Sequence, residues 1–177
     1  MDDRWRTVNV VAPSANSVRL WIITLLSLAV GPGSVTILGP YLLGAYASGT
    51  RSGGWRVLGI AMIAAGAFMV LRCDFDFVTS GKGTPAPPAA PVYLVTNKLY
   101  RWTRNPMYAG VLLVLSGEAA LFGNIALPVY LAVAGLGFHL FVTLYEEPHL
   151  TRTFGQSYLN YCAQVPRWLP NRINRNL

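Results

Sequence analysis

The sequence predicts an all-α fold, a polytopic membrane bundle of about four to five transmembrane helices. Three observations carry this. Of 177 residues, 53% are apolar and only 12% charged, against roughly 25% charged in a soluble domain. Mean hydropathy is +0.41. The apolar residues fall into four segments, about 18–46, 55–72, 107–122 and 125–145, and at about 1.5 Å of rise per residue the last two reach roughly 24 and 31 Å, enough to cross most or all of a bilayer core.

The first segment is too long for the apolar core of a signal peptide and lacks a small-residue cleavage pattern, so it reads as a retained span. Gly31-Pro-Gly33 stands in its middle and predicts a kink or a break; a re-entrant pair is the alternative, which makes the span count four or five. The second segment carries Gly59 and Gly66 on one side, seven residues or two turns apart. Close helix packing is the simpler reading, and room for a ligand against bare backbone is the other. The stretch 79–91 is rich in Gly, Pro and Ala and cannot cross lipid, because its backbone groups would lack partners; it is a linker or a lid. Residues 93–103 mix Leu94, Val95, Leu99, Tyr100 and Trp102 with Lys98 and Arg101, the pattern of a helix lying at the interface. Gly123-Asn124 turns the third apolar segment back into the fourth.

Basic residues orient the chain. With four spans, Arg4, Arg6, Arg19, Arg72, Lys82, Lys98, Arg101, Arg104, Arg152, Arg167, Arg172 and Arg175 share one side, and Arg51 and Arg56 the other. The excess of basic residues marks the cytoplasmic side, which holds both termini; in a bacterial cell the membrane would be the plasma membrane. A net charge of +7 then reflects topology and anionic lipid rather than nucleic acid. Cys73 and Cys162 lie on the reducing side, neither has a Cys or His at ligand spacing, and only His139 and His149 occur, so no metal site is expected.

Two polar motifs flank the hairpin: Tyr100-Arg-Trp-Thr-Arg-Asn-Pro-Met-Tyr108 and Tyr145-Glu-Glu-Pro-His-Leu150. The hairpin returns both to one membrane face, where Arg104, Asn105, Tyr108, Glu146 and Glu147 should meet. Asn105 is a favoured helix N-cap and Pro106 a favoured first residue, leaving the amides of Met107 and Tyr108 to bind an anion beside Arg104 and Arg101. Glu146 and Glu147 end the fourth span, where negative charge opposes the helix dipole. Partly buried there, they need cations or hydroxyl donors: Arg101, Arg104 and Arg152, or a ligand's diol or cationic group. S-adenosylmethionine offers a carboxylate, a ribose diol and a sulfonium. Two weaker patterns fail: Gly135-Leu-Gly137 lies inside an apolar helix with no strand before it, where small-residue packing is expected, and Gly81-Lys-Gly-Thr84 lacks the earlier Gly of a phosphate loop.

Gly81-Lys-Gly-Thr-Pro, Leu94-Val-Thr, Leu99-Tyr-Arg, Arg104-Asn-Pro-Met-Tyr-Ala-Gly110, Glu146-Glu147, Phe154-Gly, Tyr158, Tyr161 and Val165-Pro-Arg167 resemble the isoprenylcysteine carboxyl methyltransferase-like family. Phosphatidylethanolamine N-methyltransferases share the Asn-Pro-Met-Tyr and Tyr-Glu-Glu-Pro patterns. The resemblance covers roughly residues 55–170. It implies an integral membrane methyltransferase with a cytoplasmic-side cofactor pocket for S-adenosyl-L-methionine and a lipid or other apolar acceptor. Its cofactor contacts fall on Tyr93, Leu94, Val95, Tyr100, Asn105, Pro106, Met107, Tyr108 and Glu146. Isoprenylcysteine enzymes carry a substrate-contacting Arg where this chain has Val142, which weighs against prenylated-cysteine carboxylates.

Methyl transfer is an in-line displacement, so the protein's task is alignment and exclusion of water. Arg104 is expected to anchor or orient, and Tyr108 or Glu147 to take a proton from an amine, thiol or phenol acceptor. His139 either lines an acceptor tunnel or is a packed, hydrogen-bonded residue. Glu118, a carboxylate in mid-segment, costs about 2.5–3.5 kcal/mol in lipid, and either points into the bundle or sits near the outer surface. The chain reads as a single membrane domain, 1–177, with a kinked span 18–46, a span 55–72, a loop and interfacial helix 79–104, a hairpin 107–145 and a cofactor-site segment 146–170. The alternatives are a nicotinamide-dependent membrane reductase relative and a non-catalytic scaffold.

Overall fold

The computed structural model describes residues 17–81, 83 and 92–169. Its core is set by two pairs of glycines on antiparallel helices, α2 (Gly54–Gly81) and α3 (Pro106–Phe122). A Cβ on Gly66 would lie 2.5 Å from the Gly110 carbonyl oxygen, and one on Gly59 would lie 2.8 Å from that of Gly117. Only bare backbone permits this approach, and it brings Val111, Val114 and Leu115 into the interior. Gly59 and Gly66 therefore serve helix packing and leave no room for a ligand.

Helix α1 (Val18–Leu42) crosses the Gly-Pro-Gly sequence without breaking. Pro32 removes one backbone donor, and the chain absorbs the loss by widening to a π-helix over Ala29–Leu38 before resuming an α-helix at Gly39–Leu42. The expected break and the re-entrant pair are absent: one continuous helix runs through. A 3₁₀ turn, Ala45–Ser48, follows. Helix α2 continues past 72, where its apolar run ends, through Asp76 and a π turn, Phe77–Gly81.

The 93–103 segment is not an interfacial helix. It holds a single 3₁₀ turn, Lys98–Arg101. Val95 and Tyr100 are drawn inward onto Cys73, Phe77 and Met107, while Lys98, at φ 54°, pairs with buried Asp76 at 2.7 Å. These tethers replace the lipid contact that the residue pattern suggested.

The expected hairpin forms. Gly123 ends α3 in the left-handed region (φ 65°), with its amide donating to the Ala119 carbonyl. The Asn124 side-chain oxygen then accepts from the amide of Ala126 at 2.9 Å and starts α4 (Ala126–Phe154). Helix α4 widens to a π turn at Val142–Glu146 and continues as an α-helix over Glu147–Phe154. Gly155 (φ 54°) redirects the chain into α5 (Gln156–Gln164). A Cβ on Gly137 would meet nothing within 4 Å, and one on Gly135 would meet only Leu112, at 3.7 Å, so the Gly135-Leu-Gly137 sequence is not a tight packing seam.

Helices α1, α2 and α4 are long and apolar enough to cross a membrane, and α3 is a shorter apolar helix of 17 residues. Val129, Val133, Leu136, Leu140 and Leu144 are exposed at helical spacing along α4, a face suited to lipid. No strand occurs among the described residues, and the fold is an all-α membrane bundle. Arg4, Arg6, Lys82, Arg172, Arg175 and most of the 79–91 loop lie outside the described residues.

Candidate active site

The two polar motifs meet at one end of the α3–α4 hairpin. The Tyr108 hydroxyl donates to Oε2 of Glu146 at 2.9 Å, and its ring lies 4.9 Å from that of Phe138. Arg104 Nη1 lies 3.0 Å from Oε1 of Glu147. Arg104, Tyr108, Glu146 and Glu147, expected together, are brought together.

Adjacent residues on a helix project about 100° apart, and the two carboxylates have separate partners accordingly. Glu146 faces Tyr108. Glu147 faces Arg104 and also takes a fork of two bonds from Arg167, Nε to Oε1 at 2.7 Å and Nη2 to Oε2 at 2.9 Å. That hydrogen bonding raises the Arg167 guanidinium above its ordinary value. Because α4 continues to Phe154, the glutamates do not end a helix, and the dipole penalty expected there is absent.

Arg101 and Arg152, offered by sequence as charge partners, are both exposed. The second cation is Arg167. Its signal was present in Val165-Pro-Arg167, a cation fixed by proline just after a helix, but nothing local shows that it returns to Glu147.

The segment 165–168 straps the site together. The Arg104 amide donates to the Pro166 carbonyl at 2.9 Å. Thr103 Oγ1 and Asn105 Nδ2 both donate to the Arg167 carbonyl, at 2.9 and 3.0 Å. Asn105 is thus not the side-chain cap of α3; its amide group is committed to the strap. Arg104 Nη1 also lies 2.8 Å from Cys162 Sγ, and the Arg104 Nε is buried without a hydrogen-bond partner among the described residues.

The residues marked by the resemblance pack in core clusters beside this charged centre. Leu94 packs on Phe154, Tyr158, Tyr161 and Val165. Val95 and Tyr100 are buried with Met107 against them, and Asn105 and Pro106 are buried at the start of α3. Tyr93 is half-buried, its amide donating to the Gly81 carbonyl at 3.3 Å. The Tyr161 hydroxyl donates to the Tyr100 carbonyl at 2.7 Å, and burial pushes Tyr100, Tyr158 and Tyr161 up from the ordinary phenol value. His139 is exposed, and its Nδ1 accepts from Trp168 Nε1 at 3.2 Å, in keeping with the hydrogen-bonded alternative.

The phospholipid methyltransferase family model matches residues 55–157. The chain belongs to that family. It is also similar to protein-S-isoprenylcysteine O-methyltransferase B of Arabidopsis thaliana, 32% identical over 77 residues. That match takes in 44% of this chain and 39% of the plant protein, so the chain spans well under two thirds of that relative's length. No solved structure matches it. The family is one of methyltransferases, and the nicotinamide reductase alternative has no support in it. The matched region holds both polar motifs and the α2–α3 glycine pairs; Arg167 and its strap follow it.

Proposed function

We propose that the protein moves a methyl group from S-adenosyl-L-methionine to a lipid or other apolar acceptor, at a pocket on the cytoplasmic face. The observation that carries this reading is the convergence of Arg104, Tyr108, Glu146 and Glu147, 38 to 43 residues apart in sequence, into two adjoining ion and hydrogen-bond pairs. The pocket suits the cofactor's chemistry. Arg104, with its buried unpartnered Nε, and the start of α3, which has no side-chain cap, suit a carboxylate. Glu146 suits a cationic or diol group, and Leu94, Val95 and Met107 offer apolar cover.

When bound, the cofactor supplies the electrophilic methyl group. The chain supplies orientation and a dry setting. Glu147 is saturated by Arg104 and Arg167, and a carboxylate so paired is a weak proton acceptor; its part is to hold the two guanidiniums. The proton of an amine, thiol or phenol acceptor passes instead toward the Tyr108–Glu146 pair, with the carboxylate as the receiving group. Val142, buried at 1% exposure, stands where the isoprenylcysteine enzymes carry a substrate-contacting Arg, and its lack of charge weighs against a prenylated-cysteine carboxylate as acceptor. The cytoplasmic placement rests on Arg72, Lys98, Arg101, Arg104, Arg152 and Arg167 lying at the site's end of the helices.

Calorimetric titration of S-adenosylmethionine into the purified protein in detergent tests this. Micromolar binding is expected, weakened at least tenfold in Glu146→Ala and Tyr108→Ala, along with transfer of labelled methyl to a membrane-extractable acceptor. Absence of binding by the unaltered protein, or preference for a reduced nicotinamide, overturns it.

A further inference from the structure

We infer that Asp76 and Lys98 are positioning residues for cofactor binding. Their ion pair holds the Lys98 backbone in a left-handed turn, and that turn seats Val95 and Tyr100. Val95 and Tyr100 belong to the cofactor pocket only under the proposed function, on which this role depends.

Among the described residues Lys98 alone, glycines aside, has a positive φ, 54°. A Cβ disfavours that conformation, which glycine adopts freely. The 3₁₀ turn that Lys98 opens gives its side chain no part in the backbone bonding. Asn97 supplies no side-chain cap, and the closing bonds run from the Tyr100 amide to the Asn97 carbonyl at 3.0 Å and from the Trp102 amide to the Leu99 carbonyl at 3.1 Å. Any residue at position 98 could leave those bonds in place. What lysine adds is its ammonium group, which donates to Asp76 Oδ1 at 2.7 Å and lies 5.7 Å from the centre of the Phe75 ring.

Asp76 needs that cation. Its carboxylate is wholly buried, Oδ2 has no hydrogen-bond partner among the described residues, and Arg72 Nη2 stands farther off, 3.7 Å from Oδ1. Removing the close partner of a buried carboxylate is strongly unfavourable. The ion pair thus supplies, from outside the turn, what offsets the unfavourable φ within it.

The turn is a corner between two groups of residues beside the charged centre. Before it, the amides of Val92 and Tyr93 donate to the Gly81 carbonyl, and Val95 is buried. After it, Tyr100 packs with Val95 on Cys73, and its carbonyl accepts from the Tyr161 hydroxyl. Further on, Arg104 reaches Glu147. A right-handed or extended residue at the corner would redirect everything that follows it.

The experiment sets Lys98→Ala beside Lys98→Gly, in the full chain in neutral detergent, with S-adenosylmethionine affinity read by calorimetry. Both variants lose the ion pair, but only glycine removes the conformational penalty. Lys98→Ala should weaken binding about tenfold, the population change that the left-handed cost of an L residue corresponds to, and Lys98→Gly by less than about threefold. Asp76→Asn should also weaken binding about tenfold, and by less than about twofold when combined with Lys98→Gly. Hydrogen exchange across residues 99–104, measured without ligand, should be at least about fivefold faster in Lys98→Ala than in Lys98→Gly. An ion pair that served stability alone would leave the two Lys98 variants alike. Equal affinities in Lys98→Ala and Lys98→Gly therefore overturn the positioning role and leave the proposed function standing. Should Asp76→Asn fail to fold, the comparison of the two Lys98 variants still decides. No binding by the unaltered protein overturns the proposed function, and the positioning role with it.

Discussion

Arg167 and Glu147 should behave energetically as one unit. Two unit charges about 4 Å apart interact by about 4 kcal/mol at an effective dielectric of 20 and about 1 kcal/mol in bulk water. The side chains are 34% and 18% exposed, so the pair lies between these limits, at about 2 kcal/mol of coupling after solvent screening. Arg104 at 3.0 Å remains as a second partner when Arg167 is removed, which keeps Arg167→Ala from unfolding the protein. For a chain of this size, about 2 kcal/mol corresponds to a fall of about 4–8 °C in the unfolding midpoint. Glu147→Ala should cost about as much, because it leaves two guanidiniums facing one another without a counter-charge. The double variant should then fall by little more than either single one. Thermal unfolding of the four proteins in one detergent, at low and high salt, measures the cycle. Midpoint shifts that simply add would show that the 2.7 and 2.9 Å contacts carry no coupling, and the strap would lose its electrostatic basis.

Gly66→Ala should lower stability by about 1–3 kcal/mol, since its Cβ would press on the Gly110 carbonyl and the Val114 side chain. Gly137→Ala, in open space, serves as the control, and unfolding midpoints compare them. Burial raises Tyr100, Tyr158 and Tyr161, so the folded state keeps protons that the unfolded chain releases near pH 10. The stability they contribute is complete below that pH and lost above it, by about 1.4 kcal/mol per pH unit for each phenol. A midpoint flat from pH 8 to 9.5 and falling beyond 10, less steeply in Tyr161→Phe, is the expected record; a fall beginning near pH 8 would contradict it.

Spans, hairpin and converging motifs were legible in the sequence because each follows from local rules: apolar length, a Gly-Asn turn, an Asn-Pro helix start. What was not legible depends on partners far along the chain. Arg72, Asp74 and Asp76 look like the exit of a span, yet α2 continues to Gly81 because Asp76 is matched by Lys98, 22 residues later. The same ion pair pulls the 93–103 segment inward and prevents the interfacial helix that its own pattern favours. Gly31-Pro-Gly33 reads as a break under the rule for proline in helices, but a π turn satisfies that rule while keeping the helix continuous.

The strap explains why the first polar motif has the residues it has. Thr103, Arg104 and Asn105 send three donors to the carbonyls of Pro166 and Arg167, and Arg167 sends its guanidinium to Glu147. The start of α3 and the glutamates of α4 are therefore joined twice, directly through Arg104 and indirectly through the C-terminal segment. Such double joining fixes the separation of Tyr108 and Glu146, which a single contact across that gap would hold less rigidly. It also draws the Asn105 side chain away, leaving the first turn of α3 without a side-chain cap. An uncapped helix start at a charged pocket is destabilising for the protein alone. Under the proposed function, an anionic group of the cofactor would take the place of the cap and offset that cost.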